Sequence, residues 1–187
     1  ADITGDGLSE LAGSDINGLY IVSEPTSGTW EMDTEWDVSI DIGYQKPRSL
    51  GDISGDGFED ISAGDYLYFG PLSGSISSSD YDSYLSAPAD LEYAGDLNED
   101  GYDDLLWTDW ESSSSVVDVL VSYGPITDNP HTTYDLQLKS INSRIHGLDT
   151  GDLDGDGSTD LLFTDDSAYS NAGAVYLFSG PLSTGSF

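Results

Sequence analysis

Residues 151–162 read Gly151-Asp-Leu-Asp-Gly-Asp-Gly-Ser-Thr-Asp-Leu-Leu162, a short acidic loop that runs into an apolar, β-prone stretch. Three further copies of this loop begin at Asp2, Asp52 and Asp96. In every copy, oxygen-bearing side chains occupy loop positions one, three, five and nine, and glycine occupies position six. A single Asp-Gly turn is a common hairpin connector, but four copies in one register favour a shared chemical purpose.

This spacing of oxygens is typical of a loop that binds calcium. A hard divalent cation takes six to eight oxygen ligands, and alternate residues of a tight loop can aim theirs inward. Glycine at position six permits the sharp reversal, and the variable position seven would offer only its backbone carbonyl. An EF-hand would have glutamate at position twelve, where the fourth loop has Phe163. We therefore expect position nine to close the cage and the loops to lie between strands.

The charge of the chain is strongly negative. Its 187 residues include 36 acidic residues and four basic ones, for a formal net charge of −32. Four divalent ions would add eight positive charges and leave −24, so calcium would not neutralise the protein. We expect a solvated acidic surface, and we exclude binding to nucleic acid or to an anionic membrane, because both need basic patches. Insertion into a membrane is not expected, because the sequence has no apolar run long enough to span a bilayer. The absence of cysteine excludes disulfides and thiolate metal sites.

The loops recur at intervals of 50, 44 and 56 residues, which is a period typical of propeller blades. Behind three of the loops follows an aromatic or aliphatic strand that ends in Gly-Pro, as in Val175-Tyr-Leu-Phe-Ser-Gly-Pro-Leu182. The second repeat predicts an inner strand, a second, a third and an outer strand near Pro47–Gly51, Ile61–Asp65, Tyr66–Gly70 and Tyr81–Ser86. A four-stranded antiparallel sheet repeated around an axis is the blade of a β-propeller. The sequence thus predicts an all-β fold, one repeat domain over 1–187, with approximate units 1–42, 43–86, 87–138 and 139–187.

The acidic loop at Asp152 and the later stretch Ala172-Gly-Ala-Val-Tyr-Leu-Phe-Ser-Gly-Pro181 together resemble the FG-GAP repeat of integrin α-subunit propellers and their bacterial relatives. The resemblance covers essentially the whole chain, although the Phe-Gly and Gly-Ala-Pro signatures are eroded and Ala63-Gly-Asp65 stands in place of the latter. It implies that the loop between the first two strands of a blade holds calcium through positions one, three, five, seven and nine. Carried over, it implies up to four calcium ions with these ligands: Asp2, Thr4, Asp6, Leu8, Glu10, Asp52, Ser54, Asp56, Phe58, Asp60, Asp96, Asn98, Asp100, Tyr102, Asp104, Asp152, Asp154, Asp156, Ser158 and Asp160.

The two ends of the repeat series are expected to be open. The first unit starts inside its loop without an inner strand, and the fourth stops after its third strand at Phe187. Four units are fewer than the seven blades with which the family usually closes. We expect either a segment of a longer chain or neighbouring copies that supply the missing strands and build a filament or surface layer.

Three classes of function compete. The leading hypothesis is a non-enzymatic calcium-binding module, extracellular or at the cell surface, with a structural or adhesive role and extracellular protein or glycan partners. The alternative is a carbohydrate-binding, lectin-like propeller that stacks sugars on Trp30, Trp36, Trp107, Trp110 or the run from Tyr81 to Tyr84. Catalysis is not expected, because His131 and His146 have no nucleophile motif around them.

Overall fold

The strands of this chain form four separate β-sheets. The computed structural model describes residues 2–23, 29, 36–85, 88–110, 117–127, 130, 133–139, 145–166, 168, 172–183 and 185–186. Within these residues sixteen strands occur: β1 Leu11–Ser14, β2 Leu19–Val22, β3 Val38–Asp41, β4 Pro47–Gly51, β5 Asp60–Ala63, β6 Tyr66–Tyr68, β7 Gly74–Ser77, β8 Ser83–Tyr84, β9 Pro88–Gly95, β10 Asp104–Trp110, β11 Val117–Ser122, β12 Leu136–Lys139, β13 Ile145–Gly151, β14 Asp160–Asp165, β15 Ala174–Phe178 and β16 Gly185–Ser186. The predicted all-β class with blade-like sheets is confirmed.

The chain divides into two compact units, Ala1–Leu85 and Ser86–Phe187. The first unit holds the sheets β1-β2-β3-β7 and β4-β5-β6-β8, and the second holds β9-β10-β11-β12-β16 and β13-β14-β15. The sheet β4-β5-β6-β8 is antiparallel throughout and follows the predicted order of inner, second, third and outer strand. The first strand has the predicted bounds, whereas the other three are shorter than predicted, since β5 ends at Ala63, β6 ends at Tyr68 and β8 covers only two residues.

Two short strands depart from a simple series of hairpins. β7 lies in the connection between the third and fourth strands of its own repeat, yet it pairs in parallel with β3 of the preceding sheet. β16 likewise follows the third strand of the fourth repeat and pairs in parallel with β12 of the preceding sheet. Both strands begin shortly after a Gly-Pro turn, β7 after Gly70-Pro71 and β16 after Gly180-Pro181. In each compact unit, the second sheet is therefore connected to the first in a similar way.

Each unit has its own apolar core between its two sheets. In the first unit, the buried side chains of β2 and β3, such as Ile21 and Ile40, pack with Ile61 and Tyr68 of the second sheet. In the second unit, valines and leucines of β11 and β12 pack with Leu161 and Phe163 of β14. Alternation of apolar and polar residues along β3 and β12 puts the apolar side chains on the buried face.

Candidate metal loops

The acidic loops join the first two strands of a sheet, as predicted. The second loop lies between β4 and β5, the third between β9 and β10, and the fourth between β13 and β14. The first loop leads directly into β1. The second, third and fourth loops therefore begin where one strand ends, and in all four loops position nine lies at, or next to, the start of the following strand.

Position one organises the loop by accepting backbone hydrogen bonds. In the second loop, Asp52 Oδ1 accepts from the N–H groups of Gly55 and Asp56 at 2.8 and 3.0 Å, and Oδ2 accepts from Gly57 at 2.9 Å. Asp2, Asp96 and Asp152 make corresponding bonds in their own loops. The carboxylate at position one thus lies on the inside of the loop and stabilises the turn by accepting these hydrogen bonds.

A left-handed backbone conformation recurs at positions four and six of the loops. Glycine at position six has a φ of 86° to 97° in all four loops, a region that L side chains rarely adopt. Position four also has a left-handed backbone in every loop. It is glycine in the first, second and fourth loops, and in the third loop it is Glu99, with a φ of 62°. The glycine at position six was predicted to permit the turn, whereas the left-handed backbone at position four was not predicted, although the repeated glycine there is visible in the sequence.

Position five completes the same turn. Asp6, Asp56, Asp100 and Asp156 each accept a hydrogen bond from the backbone N–H of position seven, at 2.8 to 3.0 Å. Position three differs between the loops, since it is Thr4, Ser54, Asn98 and Asp154. Only the fourth loop therefore has carboxylates at positions one, three and five together.

Position nine is the buried anchor of the loop. Asp60, Asp104 and Asp160 are fully buried, whereas Glu10 of the first loop is partly exposed. Asp104 Oδ2 accepts from the N–H of Leu97 in its own loop at 2.7 Å, and its Oδ1 accepts from the N–H of Gly124 at 2.9 Å. Asp60 and Asp160 make a comparable pair of bonds, accepting from the N–H groups of Ser54 and Leu153 in their own loops and from those of Gly70 and Gly180 outside them.

The outward bond explains the Gly-Pro turn that recurs behind the third strand. A Cβ on Gly124 would lie 2.5 Å from the carbonyl oxygen of Asp103 and 2.8 Å from Tyr102 Cβ, so only glycine fits. A Cβ on Gly70 or on Gly180 would likewise lie too close to the carbonyl oxygen at position eight of its own loop. The Gly-Pro pairs were predicted only to end a strand, and in the structure their glycines also donate to the carboxylate at position nine.

Burial and hydrogen bonding at position nine shift the pKa of the carboxyl group in opposite directions, and in the fourth loop the N–H groups of Gly180 and Leu153 lower the pKa of Asp160. Desolvation raises the pKa of Asp60 to about 6, although N–H groups of Gly70 and Ser54 oppose the rise. Desolvation likewise raises the pKa of Asp104 to about 7, opposed by the N–H groups of Gly124 and Leu97. A buried carboxylate of this kind is stabilised by a nearby cation or by a proton.

Two loops bring three carboxylates close together. One oxygen from each of Asp2, Asp6 and Glu10 lies within 4.8 Å of the others, and the same holds for Asp152, Asp154 and Asp156. In the first loop, Thr4 Oγ1 also donates to Glu10 Oε1 at 2.7 Å, which places a fourth oxygen at the cluster. Among the described residues, these are the clusters of three acidic groups that meet this distance. Asp160 lies outside the fourth-loop cluster and holds its loop to the Gly180 turn.

The chemistry of these groups fits a hard cation. Carboxylate and hydroxyl oxygens are ligands that calcium prefers, and each ionised carboxylate offers about four lone-pair sites. Asp60, Asp104 and Asp160 therefore retain acceptor capacity beside their two backbone bonds. The carboxylates of the fourth-loop cluster are exposed, so an ion could reach them from solvent.

The aromatic residues and histidines considered for sugar binding or catalysis differ in their exposure. Trp107 is fully buried in β10, whereas Tyr81 and Tyr84 are exposed to 36% and 42%. Trp30 and His131 lie outside the described residues, and the side chains of Trp110 and His146 are not described. Across the part of the chain that is described, no helix has the length and apolar character needed to cross a membrane.

The sheets and their acidic loops define a repeat protein built from blade-like β-units. Residues 96–163 match the family model described as FG-GAP-like repeat. This segment runs from the third loop through β10 to β13 and the fourth loop into β14. The chain therefore carries an FG-GAP-like repeat over residues 96–163, and the resemblance to the FG-GAP family is confirmed for this segment. A search of curated proteins returned no match to the chain.

Proposed function

We propose that this chain is a non-enzymatic, extracellular repeat module with a structural or adhesive role, in which calcium ions hold the acidic loops. The observation that carries the proposal is the convergence of Asp152, Asp154 and Asp156 within 4.8 Å at the tip of a blade-like sheet. Three carboxylates at this distance repel one another, and a divalent cation would replace that repulsion by attraction. The FG-GAP-like repeat over residues 96–163 supports a module of this kind.

Calcium would act as a clamp on the fold. Each loop connects two neighbouring strands, and in three loops position nine is bonded to the turn that follows the third strand. An ion held by positions one, three and five would therefore stabilise a network that reaches three strands of a sheet. Because such a site does not exist in the unfolded chain, the free energy of binding becomes free energy of folding. Calcium at extracellular concentrations can fill even weak sites of this type.

Thermal unfolding with calcium and with a chelator tests this proposal. A site held at a hundredfold excess over its dissociation constant contributes about 2.7 kcal/mol, so several sites together would raise the Tm clearly. Asp156→Ala should lose part of the calcium-dependent rise, because it removes one of the clustered carboxylates. Asp166→Ala, which removes the same charge from an exposed position beyond β14, is the matched control and should keep the full rise. Superimposable curves with calcium and with chelator would rule out the proposal.

A carbohydrate-binding module is the second candidate, and a cluster of tyrosines favours it. The rings of Tyr66 and Tyr81 lie 4.9 Å apart at 43°, and those of Tyr81 and Tyr84 lie 5.9 Å apart in an edge-to-face arrangement. A partly exposed aromatic group can stack on a sugar ring. Binding of the protein to immobilised glycans should then fall with Tyr81→Ala and persist with Tyr134→Ala, a comparably exposed tyrosine elsewhere. Equal binding by both variants would exclude this surface.

A further inference from the structure

In each compact unit, a Gly-Pro turn lies between two neighbouring acidic loops and is bonded to both. In the second unit, Gly180 of the turn donates its N–H to Asp160 Oδ1 of the fourth loop at 2.9 Å. Two residues further on, Leu182 donates its N–H to the carbonyl oxygen of Leu97, at position two of the third loop, at 2.7 Å. The turn that anchors one loop therefore also contacts the backbone of the loop before it.

The chain of hydrogen bonds continues inside the third loop. The N–H of the same Leu97 donates to Asp104 Oδ2 at 2.7 Å, so both peptide groups of this residue are engaged. Asp104 and Asp160, the position-nine carboxylates of the two loops, are thus joined through one turn and one loop residue. Leu97 and Leu182 are both buried in the core of the second unit, where a low dielectric strengthens each hydrogen bond.

The first unit repeats this chain of contacts. Gly70 donates its N–H to Asp60 Oδ1 of the second loop at 2.9 Å. Leu72 donates to the carbonyl oxygen of Ile3, at position two of the first loop, also at 2.9 Å. The N–H of Ile3 then donates to Glu10 Oε2 at 2.8 Å. Because two turns far apart in the sequence make the same contacts, the connection between neighbouring loops belongs to the repeat itself.

A side chain makes a second, direct connection between the loops of the second unit. Glu99 stands at position four of the third loop, and its Oε1 accepts from Ser158 Oγ, at position seven of the fourth loop, at 2.7 Å. A left-handed backbone is unfavourable for a residue with a Cβ, so glutamate costs stability where the other loops have glycine. The side chain that replaces glycine here provides a bond to the neighbouring loop.

We propose that the two loops of each unit bind calcium with positive cooperativity through these connections. The proposal rests on the calcium binding proposed above and adds its regulation. An ion in one loop fixes that loop and, through the carboxylate at position nine, the Gly-Pro turn. The fixed turn holds position two of the neighbouring loop, so the second ion orders fewer free groups and binds more tightly. Coupling of this kind typically changes an affinity by about fivefold or more.

Site-resolved NMR titration of the intact 187-residue chain with calcium tests the proposal. The N–H of the glycine at position six donates to the carboxylate at position one, so the signals of Gly101 and Gly157 report the third and fourth loops. Asp156→Ala should weaken calcium binding at Gly101 about fivefold, although it changes no residue of the third loop. By reciprocity, Asp100→Ala should weaken binding at Gly157 by the same factor. The control Asp166→Ala removes an exposed charge beyond β14 and should leave both affinities unchanged.

Two variants that retain every acidic residue test the route of the coupling. Ser158→Ala removes the hydroxyl that donates to Glu99, and Tyr123→Phe removes the hydroxyl that donates to the carbonyl of Leu182 in the turn at 3.0 Å. In the unaltered chain the third and fourth loops should fill together, with a Hill coefficient above one. Each variant should lower that coefficient. Titrations at about 0.15 M salt screen the direct repulsion between the two ions.

The possible outcomes separate this proposal from calcium binding itself. Independent filling of the two loops, with Asp156→Ala changing the affinity at Gly101 by less than about twofold, overturns the cooperativity and leaves calcium binding intact. An equal loss from Asp166→Ala, or cooperativity unchanged in both Ser158→Ala and Tyr123→Phe, overturns the proposed connections. The absence of any calcium-dependent shift at either glycine would overturn the calcium-binding function and this proposal together.

Discussion

At the scale of single residues, the acidic loops depend on glycines whose roles differ. Glycines at positions four and six provide a left-handed backbone, and a Cβ on Gly57 or Gly157 would meet nothing within 4 Å. The glycines of the Gly-Pro turns instead provide space, because the carbonyl at position eight presses against them. They also donate the hydrogen bond that holds the carboxylate at position nine. Substitution should therefore be more costly at the second kind of glycine.

Gly70 and Gly74 allow a matched test of this difference. A Cβ on Gly70 would lie 2.7 Å from both the carbonyl oxygen of Glu59 and Phe58 Cβ, whereas Gly74 has open space and a φ of 66°. Gly70→Ala should lower the free energy of unfolding by about 3 kcal/mol through overpacking. Gly74→Ala should lower it by about 1 kcal/mol through backbone strain alone. Urea denaturation of the two variants measures both values, and equal losses would contradict the steric role of Gly70.

At the scale of secondary structure, the parallel strands β7 and β16 extend the outer edges of two sheets. An exposed edge strand leaves a row of unpaired backbone groups, which proteins usually cover. β7 covers the edge of β3, with Ile40 opposite Ile76, and its Ile76 packs against the core of the first unit. The connection between third and fourth strands thus stabilises the preceding sheet.

Truncation of Ile76 measures the contribution of β7. Ile76→Ala should lower the free energy of unfolding by about 2 kcal/mol, at the low end for a core isoleucine because the side chain is only half-buried. Ser77→Ala, at an exposed position of the same strand, is the control and should change stability by less than about 0.5 kcal/mol. Thermal or urea denaturation gives both values. If Ile76→Ala were as mild as Ser77→Ala, β7 would not support the sheet.

At the scale of the whole molecule, a net charge of −32 dominates the behaviour in solution. Self-repulsion destabilises a compact acidic protein, and any added salt screens it with a Debye length near 10 Å at 0.1 M. Melts with calcium and with chelator must therefore be compared at equal ionic strength, with magnesium as a second control. A rise in Tm that calcium alone produces would separate site binding from screening. The prediction that copies of the chain assemble end to end remains a prediction.

The sequence by itself determined the fold class, the four acidic loops and their place between strands. The information for these features is local, because alternating apolar residues, Asp-Gly turns and Gly-Pro turns act over fewer than about ten residues. The order of the strands near Pro47–Gly51 and Tyr66–Gly70 followed from the same signals. The resemblance to FG-GAP repeats rested on these local motifs too, and it is confirmed over residues 96–163.

The tertiary structure alone decided which distant groups meet. Gly124 donates to Asp104 across 20 residues, and β7 pairs with β3 across 36 residues. The carboxylate of Asp37 accepts a hydrogen bond from the N–H of Ser23 across 14 residues. The conformational preference of a single residue does not encode such contacts. A glycine, an aspartate or an isoleucine has the same local preference whether or not its distant partner is near. Packing of the two sheets in each unit selects the partners, and that selection depends on the three-dimensional arrangement of the strands.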